Sequence, residues 1–464
     1  MTITKKSLFV TQDGQRVLFT FILVSSLFLL WGFCNGLIDV MDKHFQDELG
    51  LTKAQSAWVQ FAHYLGYFLM AIPAGWLAGK LGYKGGIIAG LLIVAAGGLW
   101  FIPATSIGGM VKAGSVSPSL GFVAFLAGVC LIATGLTFLE TIANPYTTVL
   151  GDPQYAATRI NLAQSCNGIG WILGPIVGSV YFYSTDAAGR STGSQTLYIP
   201  SAAIAGVVIV LALVFVFAPV PDIKAEDDYP ADSAGAGESR SIWSHPHFVF
   251  AVAAQFFYVA AQAGIFSFFI NYMTAEVPAI PAAWNEAMTG VAASGWVLSD
   301  WLTGWFQAGA DGALAISNKG ASNLASLGFV CFLVGRFTGA GLLKRFSACK
   351  VLGLYGVLNV IATFVVFLKL GWVSVASVFL SYFFMSIMFP TIFALGISGL
   401  GVRAKRASSY IVMAIMGGAI LPKLMGAVAD RWDMSRGFIV PMVCFIFVAL
   451  YGFYWPRLRA ARAA

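Results

Sequence analysis

Asp39 and Glu140 are carboxylates placed inside or at the end of long apolar runs, 18–41 and 119–143. Nothing basic lies beside Glu140 in sequence. A carboxylate in an apolar medium must find a partner, take a proton or face a wet cavity. Both are therefore candidates for binding and releasing a small cation, with the proton first and sodium as the other possibility. Amides, phenols and indoles surround them at helical spacing. Trp31, Asn35 and Asp39 fall at i, i+4 and i+8, one stripe of one helix. Gln60, His63, Tyr64 and Tyr67 fall at i, i+3, i+4 and i+7, again one face. Thr137, Glu140, Thr141 and Asn144 gather within two turns, followed by Asn161, Gln164 and Asn167. Further on, Gln255, Tyr258 and Gln262 share a face, with Asn271 beyond them. Amides and carboxylates hydrogen-bond hydroxyl groups, and aromatic rings cover the apolar face of a ring-shaped ligand. That mixture suits a polyhydroxylated solute.

Each residue also has a plainer reading. Amides in membrane helices tie helices together, and Asn161 and Asn271 fit that role as well as a site. Asp39 lies near a helix end, where water can solvate it. His63 offers one donor and one acceptor as a neutral imidazole, or a proton relay, or simple packing. Arg336 either pairs with a carboxylate or caps a gate, and Lys423 either snorkels to the surface or joins the site.

The elements that carry these residues are membrane helices. The chain has 464 residues, 58% hydrophobic and 10% charged, with a mean hydropathy of +0.80. A soluble domain carries about 25% charged residues, so a soluble enzyme, a disordered chain and a nucleic-acid binder are excluded. One span needs roughly 20 residues. Long apolar runs fall near 18–41, 55–79, 84–104, 119–143, 160–183, 198–220, 247–274, 323–343, 350–369, 371–398, 407–429 and 437–456, which makes twelve. No small-residue cleavage site follows the first run, so it reads as a helix rather than a signal peptide. Residues 283–310 are also fairly apolar but carry Glu286 and Asp300. With twelve spans, 17 of the 27 basic residues fall on the side of the termini and 8 on the opposite side. A thirteenth span would turn the basic clusters 344–350 and 403–406 outward. The positive-inside rule thus favours twelve spans with both termini cytoplasmic.

Residues 221–246 form an acidic, Ser/Gly/Pro-containing linker between an N-terminal half, 1–220, and a C-terminal half, 247–464. A long outer loop, about 276–322, holds Trp284, Trp296, Trp301 and Trp305 and reads partly as an amphipathic helix at the membrane interface. The loops 74–84 and 339–350 echo each other, with small residues, a basic residue, a turn and another basic residue. Matching loops six spans apart imply two parallel six-helix repeats, the plan of the major facilitator fold. The expected fold is all-α, with twelve transmembrane helices in two pseudo-symmetric halves. The six cysteines, at 34, 130, 166, 331, 349 and 444, form no CxxC pair and read as small core residues. No metal-spaced cluster and no nucleophile–base pair stands out, so neither a metal cofactor nor an enzyme is expected.

At these residues the chain resembles the fucose permease branch of the major facilitator superfamily, the fucose/glucose/galactose–proton symporters. The resemblance covers nearly the whole chain. It rests on Leu30 to Asp39, on Gly66-Tyr67-Phe68 with Ile72-Pro73-Ala74-Gly75, and on Leu139 to Pro145. It continues in Asn161 to Gln164, Gln255 to Gln262, Gly335 to Gly339 and Pro390 to Phe393. The resemblance implies a sugar–proton symporter in which Asp39 and Glu140 are essential, with Gln164 and Asn167 as the polar pair of the fifth span. The chain departs from the family pattern at Gly36 and Ile38, where asparagines are usual, at Phe389 in place of a tyrosine, and at His63 in place of an aromatic residue.

The expectation is a carrier that imports a monosaccharide, hexose or deoxyhexose, with protons by alternating access. The proton-coupling residues would be Asp39 and Glu140. The sugar ligands would come from Trp31, Asn35, His63, Asn144, Gln164, Asn167, Gln255, Tyr258 and Gln262. An efflux antiporter for sugars or other small molecules is the alternative; a transporter-like sugar sensor fits the short tails poorly. The expected setting is a monomer in the lipid bilayer of a bacterial inner membrane, without nucleic-acid partners.

Overall fold

The computed structural model describes residues 9–10, 16–151, 156–183, 198–221, 241–293, 303–308, 313–343, 345–398, 400 and 404–460. The N-terminal half contains α1 (Leu18–Leu49), the single turn α2 (Lys53–Ser56), α3 (Trp58–Lys112), α4 (Pro118–Val149), α5 (Ala156–Tyr181) and α6 (Tyr198–Phe217). Helix α3 holds the second and third spans. Gly82, at φ 68° and ψ 178°, breaks it where the chain turns back, a conformation that a side chain would strain. In the C-terminal half, α7 (Pro246–Ser267) and α8 (Phe269–Ala275) make the seventh span and α10 (Asn318–Leu343) the eighth. Between them lie α9 (Ala282–Ala293) and a two-stranded antiparallel hairpin of β1 (Phe306–Ala308) and β2 (Leu314–Ile316). The loop is thus helical in its first part, and its later part also carries a hairpin. Trp296 and Trp301 lie outside the described residues. The ninth span is α11 (Ala348–Phe367). The tenth is α12 (Trp372–Met385) with α13 (Met388–Ile397), and the eleventh is α14 (Ala404–Met413) with α15 (Gly417–Arg431). The short α16 (Met434–Gly437) leads into the twelfth, α17 (Ile439–Ala460). Most of the linker, 222–240, lies outside the described residues; Ile242–Ser244 is a 3₁₀ turn.

Among the described residues, ten helices are long and apolar enough to cross a membrane by composition alone. The second and fifth spans fall short of that measure. They carry the stripes Gln60–Tyr67 and Asn161–Asn167, so they give up hydropathy for polar side chains. Local signals place the helix ends. Thr52 and Gln55 form a reciprocal capping box at α2, Ser117 caps α4 with Pro118 at its first position, and Gly50 closes α1 in the left-handed region. Spans one and five pack backbone to backbone. A Cβ at Gly174 would fall 2.6 Å from the Gly36 carbonyl carbon, so glycine is what permits this approach. All six cysteines are free thiols.

The termini side and the far side of the molecule are closed differently. On the termini side, the Lys84 ammonium donates to the carbonyls of Val216 and Ala218 at the end of α6, both at 3.0 Å and within the N-terminal half. On the far side, hydrogen bonds join the two halves. Asp430 of α15 accepts from the backbone N–H groups of Lys53 at 2.9 Å and Ala54 at 2.8 Å. The Asn271 amide donates to Gln46, and the Asn318 amide donates to Asp47 at 2.7 Å. Ser322 and Ser326 of α10 donate to the carbonyls of Pro175 and Ile172 in α5, at 2.7 and 2.8 Å. The far face is sealed.

Candidate functional site

The first wall is two stripes laid against each other. The helical period aligns Trp31, Asn35 and Asp39 on α1 and Gln60, His63, Tyr64 and Tyr67 on α3, and the packing turns the stripes together. The Trp31 indole N–H donates to the Tyr67 hydroxyl at 2.7 Å, and the Gln60 amide donates to Asp39 Oδ1 at 3.0 Å. Asn35 and Asp39 are buried; Asn35 Oδ1 and Asp39 Oδ2 meet no donor. His63 is buried between Tyr64 and Tyr67, with ring centroids 5.0 and 5.1 Å away, and its Nδ1 is unbonded. An unbonded buried polar atom is destabilising. Several of them on one surface mark a place prepared for a polar ligand.

Helix α4 closes one side. Glu140 is only partly covered, in electrostatic range of Tyr64 and Tyr67, and no hydrogen bond or ion pair engages its carboxylate among the described residues. One turn on, the Asn144 amide donates to the Glu140 carbonyl at 3.0 Å, and the Gln164 amide donates to Asn144 Oδ1 at 3.1 Å. This relay joins spans four and five beside the carboxylate. Asn167 is different: it is buried, and its amide donates to the Phe28 carbonyl at 3.2 Å, which ties span five to span one. The side chain of Asn161 lies outside the described residues. Asn271 joins the far seal.

The facing wall comes from the C-terminal half. Gln255 is fully buried with neither its oxygen nor its nitrogen bonded. The Tyr258 hydroxyl donates to the Met385 carbonyl at 3.0 Å and has Arg336 as a charged neighbour. The Arg336 guanidinium lies 5.0 Å above the Phe332 ring. Gln262 is half-buried. Tyr64 connects the walls, because its ring lies against the Gly418 backbone and within electrostatic range of Tyr258. Lys423 is exposed, with its ammonium 3.9 Å over the Trp58 ring, so it joins span eleven to the start of span two at the far face.

Three features escape sequence reasoning. Helix α1 continues eight residues past position 41 and carries, besides Asp39, another buried carboxylate, Asp42, with 0% exposure. Its spacing of three from Asp39 was a usable signal. An aromatic cluster of Trp171, Phe266, Phe329 and Tyr382 also crosses between the halves, with Phe266 stacked 4.6 Å from Tyr382. The third feature is the far-face clamp on Asp430, whose partners are 376 and 377 residues distant in sequence and leave no local pattern.

Two bundles of six helices that face each other across a polar seam, sealed on one side, define a membrane carrier. Residues 19–308 match the Major Facilitator Superfamily, and the chain belongs to that family, one of transporters and not of enzymes. It is 33% identical to the L-fucose-proton symporter of Escherichia coli, over 97% of this chain and 95% of that protein. It is 30% identical to the glucose/galactose transporter of Brucella abortus, over 95% of each. The solved structure of FucP, a major facilitator transporter in the outward conformation, superposes with a TM-score of 0.62 at 32% identity, covering 94% of this chain and 99% of that one.

Proposed function

We propose that this protein is a proton-coupled symporter that imports a monosaccharide, a hexose or deoxyhexose, across a bacterial inner membrane. The observation that carries this reading is the pair Asp39 and Glu140, two carboxylates without a cationic partner among the described residues, on one wall of the seam beside unbonded amides and aromatic rings. Relatives that match over nearly the whole chain are named for fucose–proton symport and for glucose and galactose transport.

In this reading the face with the termini is cytoplasmic and the sealed far face is the outer one, so the structure is closed to the outside. Sugar enters from outside and bonds through Asn35, His63, Asn144 and Gln164 on one wall and Gln255, Tyr258 and Gln262 on the other, with Trp31 stacking beside it. Asn167 serves the site indirectly by holding spans one and five together. Protonation of Asp39 and Glu140 neutralises the seam, and the halves rock about the site so that sugar and protons leave inside. The carrier works as a monomer. The opposing reading, an efflux antiporter, uses the same carboxylates.

Proteoliposomes with a panel of labelled hexoses and deoxyhexoses separate the two. Symport predicts that an acidic exterior drives accumulation and that collapsing the gradient abolishes it. Antiport predicts that collapse increases retention.

A further inference from the structure

We propose that Asp42 is a third proton-binding group of the transport cycle, beside Asp39 and Glu140, and that the outer face seals over it only when its carboxyl is neutral. The inference rests on the symport reading above and extends it to how the gate is controlled. Asp39, Asp42 and Gln46 lie at i, i+3 and i+7 on one face of α1. Asp39 belongs to the site, and Gln46 belongs to the seal, through Asn271 and through Ser56 at 3.3 Å. Asp42 lies between them, with 0% exposure; neither oxygen makes a hydrogen bond of good geometry, although the Ser267 hydroxyl and the Gln60 amide lie near it.

Among the described residues no cation pairs with it, and His44, two residues on, has its ring against Phe45, Phe182 and Tyr183. On its own helix the neighbour is Asp39, a like charge when ionised. From α3 come Gln60, whose amide is committed to Asp39, and Tyr64. From the seventh span comes Ser267, itself fully buried with its hydroxyl unbonded. Tyr183, just past the end of α5, completes the ring. The nearby cations are engaged elsewhere: Lys43 with Asp47 at 2.6 Å, and Lys53 with Asp430 at 3.6 Å. His63 is enclosed by Tyr64 and Tyr67.

An ionised carboxylate without a partner is strongly unfavourable in such a place, and a second one a single turn away makes it worse. When the outer face is open, water reaches both groups and solvates the charges. Closure of Gln46–Asn271 and the Asp430 clamp removes that water. A carboxylic acid tolerates the change, and a carboxylate does not. Loading a proton on Asp42 therefore permits closure, and the proton then travels with the sugar.

The test compares wild type, Asp42→Asn and Asp42→Glu in proteoliposomes with the membrane potential clamped at zero. Protons per sugar are read from the pH gradient that just balances a known sugar gradient. Asp42→Asn, a fixed neutral mimic of the acid, should exchange sugar but couple one proton fewer, so that its accumulation ratio under a gradient of one pH unit falls about tenfold. Asp42→Glu should restore wild-type coupling. Spin-label distances across the outer face give a second readout that needs no transport. The wild type should close as pH falls, and in Asp42→Asn the balance of open and closed forms should no longer follow pH. An unchanged proton count in Asp42→Asn, or closure that still follows pH in it, overturns the inference and leaves the symport reading standing. A wild type that moves sugar without protons overturns the symport reading and this inference with it.

Discussion

Removal of the Asp430 carboxylate should unlatch the far face. Asp430 receives two backbone N–H groups at the first turn of the second span, at 2.9 and 2.8 Å, and its side chain retains 25% exposure. A hydrogen bond to a charged acceptor contributes about 1.5–3 kcal/mol when buried. At this half-wet site about 1 kcal/mol each is the better figure, in line with exposed charge pairs. The ion pair with Lys53 at 3.6 Å, exposed and long, adds little. These bonds join α15 of one half to α2 of the other, so they exist only while the far face is closed. Asp430→Ala therefore shifts the open–closed ratio by about 2 kcal/mol, roughly 30-fold toward open. Asp430→Asn keeps an acceptor and loses the charge, and should shift it about fivefold. Lys53→Met leaves both backbone donors in place and should change little. Spin labels at Ser115 and Leu370, exposed far-face residues of the two halves, report the separation. The labels are placed in a background without the six native cysteines, and the long-distance fraction measures opening. Equal distance distributions for Asp430→Ala and wild type would refute the reasoning, as would a Lys53→Met effect larger than that of Asp430→Ala.

Four further outcomes are expected. Glu140→Gln cannot titrate, so it should exchange labelled sugar at a measurable rate while failing to accumulate it; accumulation against a gradient would remove Glu140 from coupling. His63→Phe should raise the half-saturation concentration or change sugar preference with accumulation intact, whereas wild-type selectivity and affinity would leave His63 as packing. Gly174→Ala forces a methyl into the Gly36 backbone and should destabilise the protein by about 1–3 kcal/mol, read as a lowered unfolding temperature in detergent; unaltered melting would deny the close approach. At the far rim, partial burial works against the Asp433 carboxylate, but the Lys369 ammonium at 2.8 Å and the Arg436 N–H hold it below its ordinary value. A lowered carboxyl contributes stability that is complete above its unfolded value of 3.8 and is lost as pH falls through the folded one. Hydrogen exchange at α16 should then be insensitive to this pair near neutral pH and accelerate only below that range; acceleration at pH 6 would contradict it.

Much of the architecture was legible because the bilayer imposes it. Long apolar runs locate spans, and the helical period alone put Trp31, Asn35 and Asp39 on one stripe and Gln60 to Tyr67 on another. That the stripes meet, through Trp31–Tyr67 and Gln60–Asp39, follows from neither. It is decided by the glycine contacts that draw span one against span five and by the turn at α2. The fate of each amide was equally hidden. Asn144, Gln164 and Asn167 look alike in sequence, yet two form a relay beside Glu140 and the third is committed to the Phe28 carbonyl. An amide bonds whichever carbonyl packing brings near. Asp42 was overlooked because hydropathy falls at position 41, whereas burial under the far seal keeps the helix dry to Asp42 and beyond. Lys423, read as a snorkelling cation or a site residue, is exposed at the far face with its ammonium over the Trp58 ring.

The most direct measurement of the central claim is the pH inside liposomes that hold the purified protein and a trapped dye, with no gradient imposed. If sugar and protons share one passage through the seam, external sugar should acidify the interior in wild type. The Asp39→Asn/Glu140→Gln double variant should leave it unchanged while still exchanging labelled sugar. Sugar entry without acidification in wild type would contradict the account.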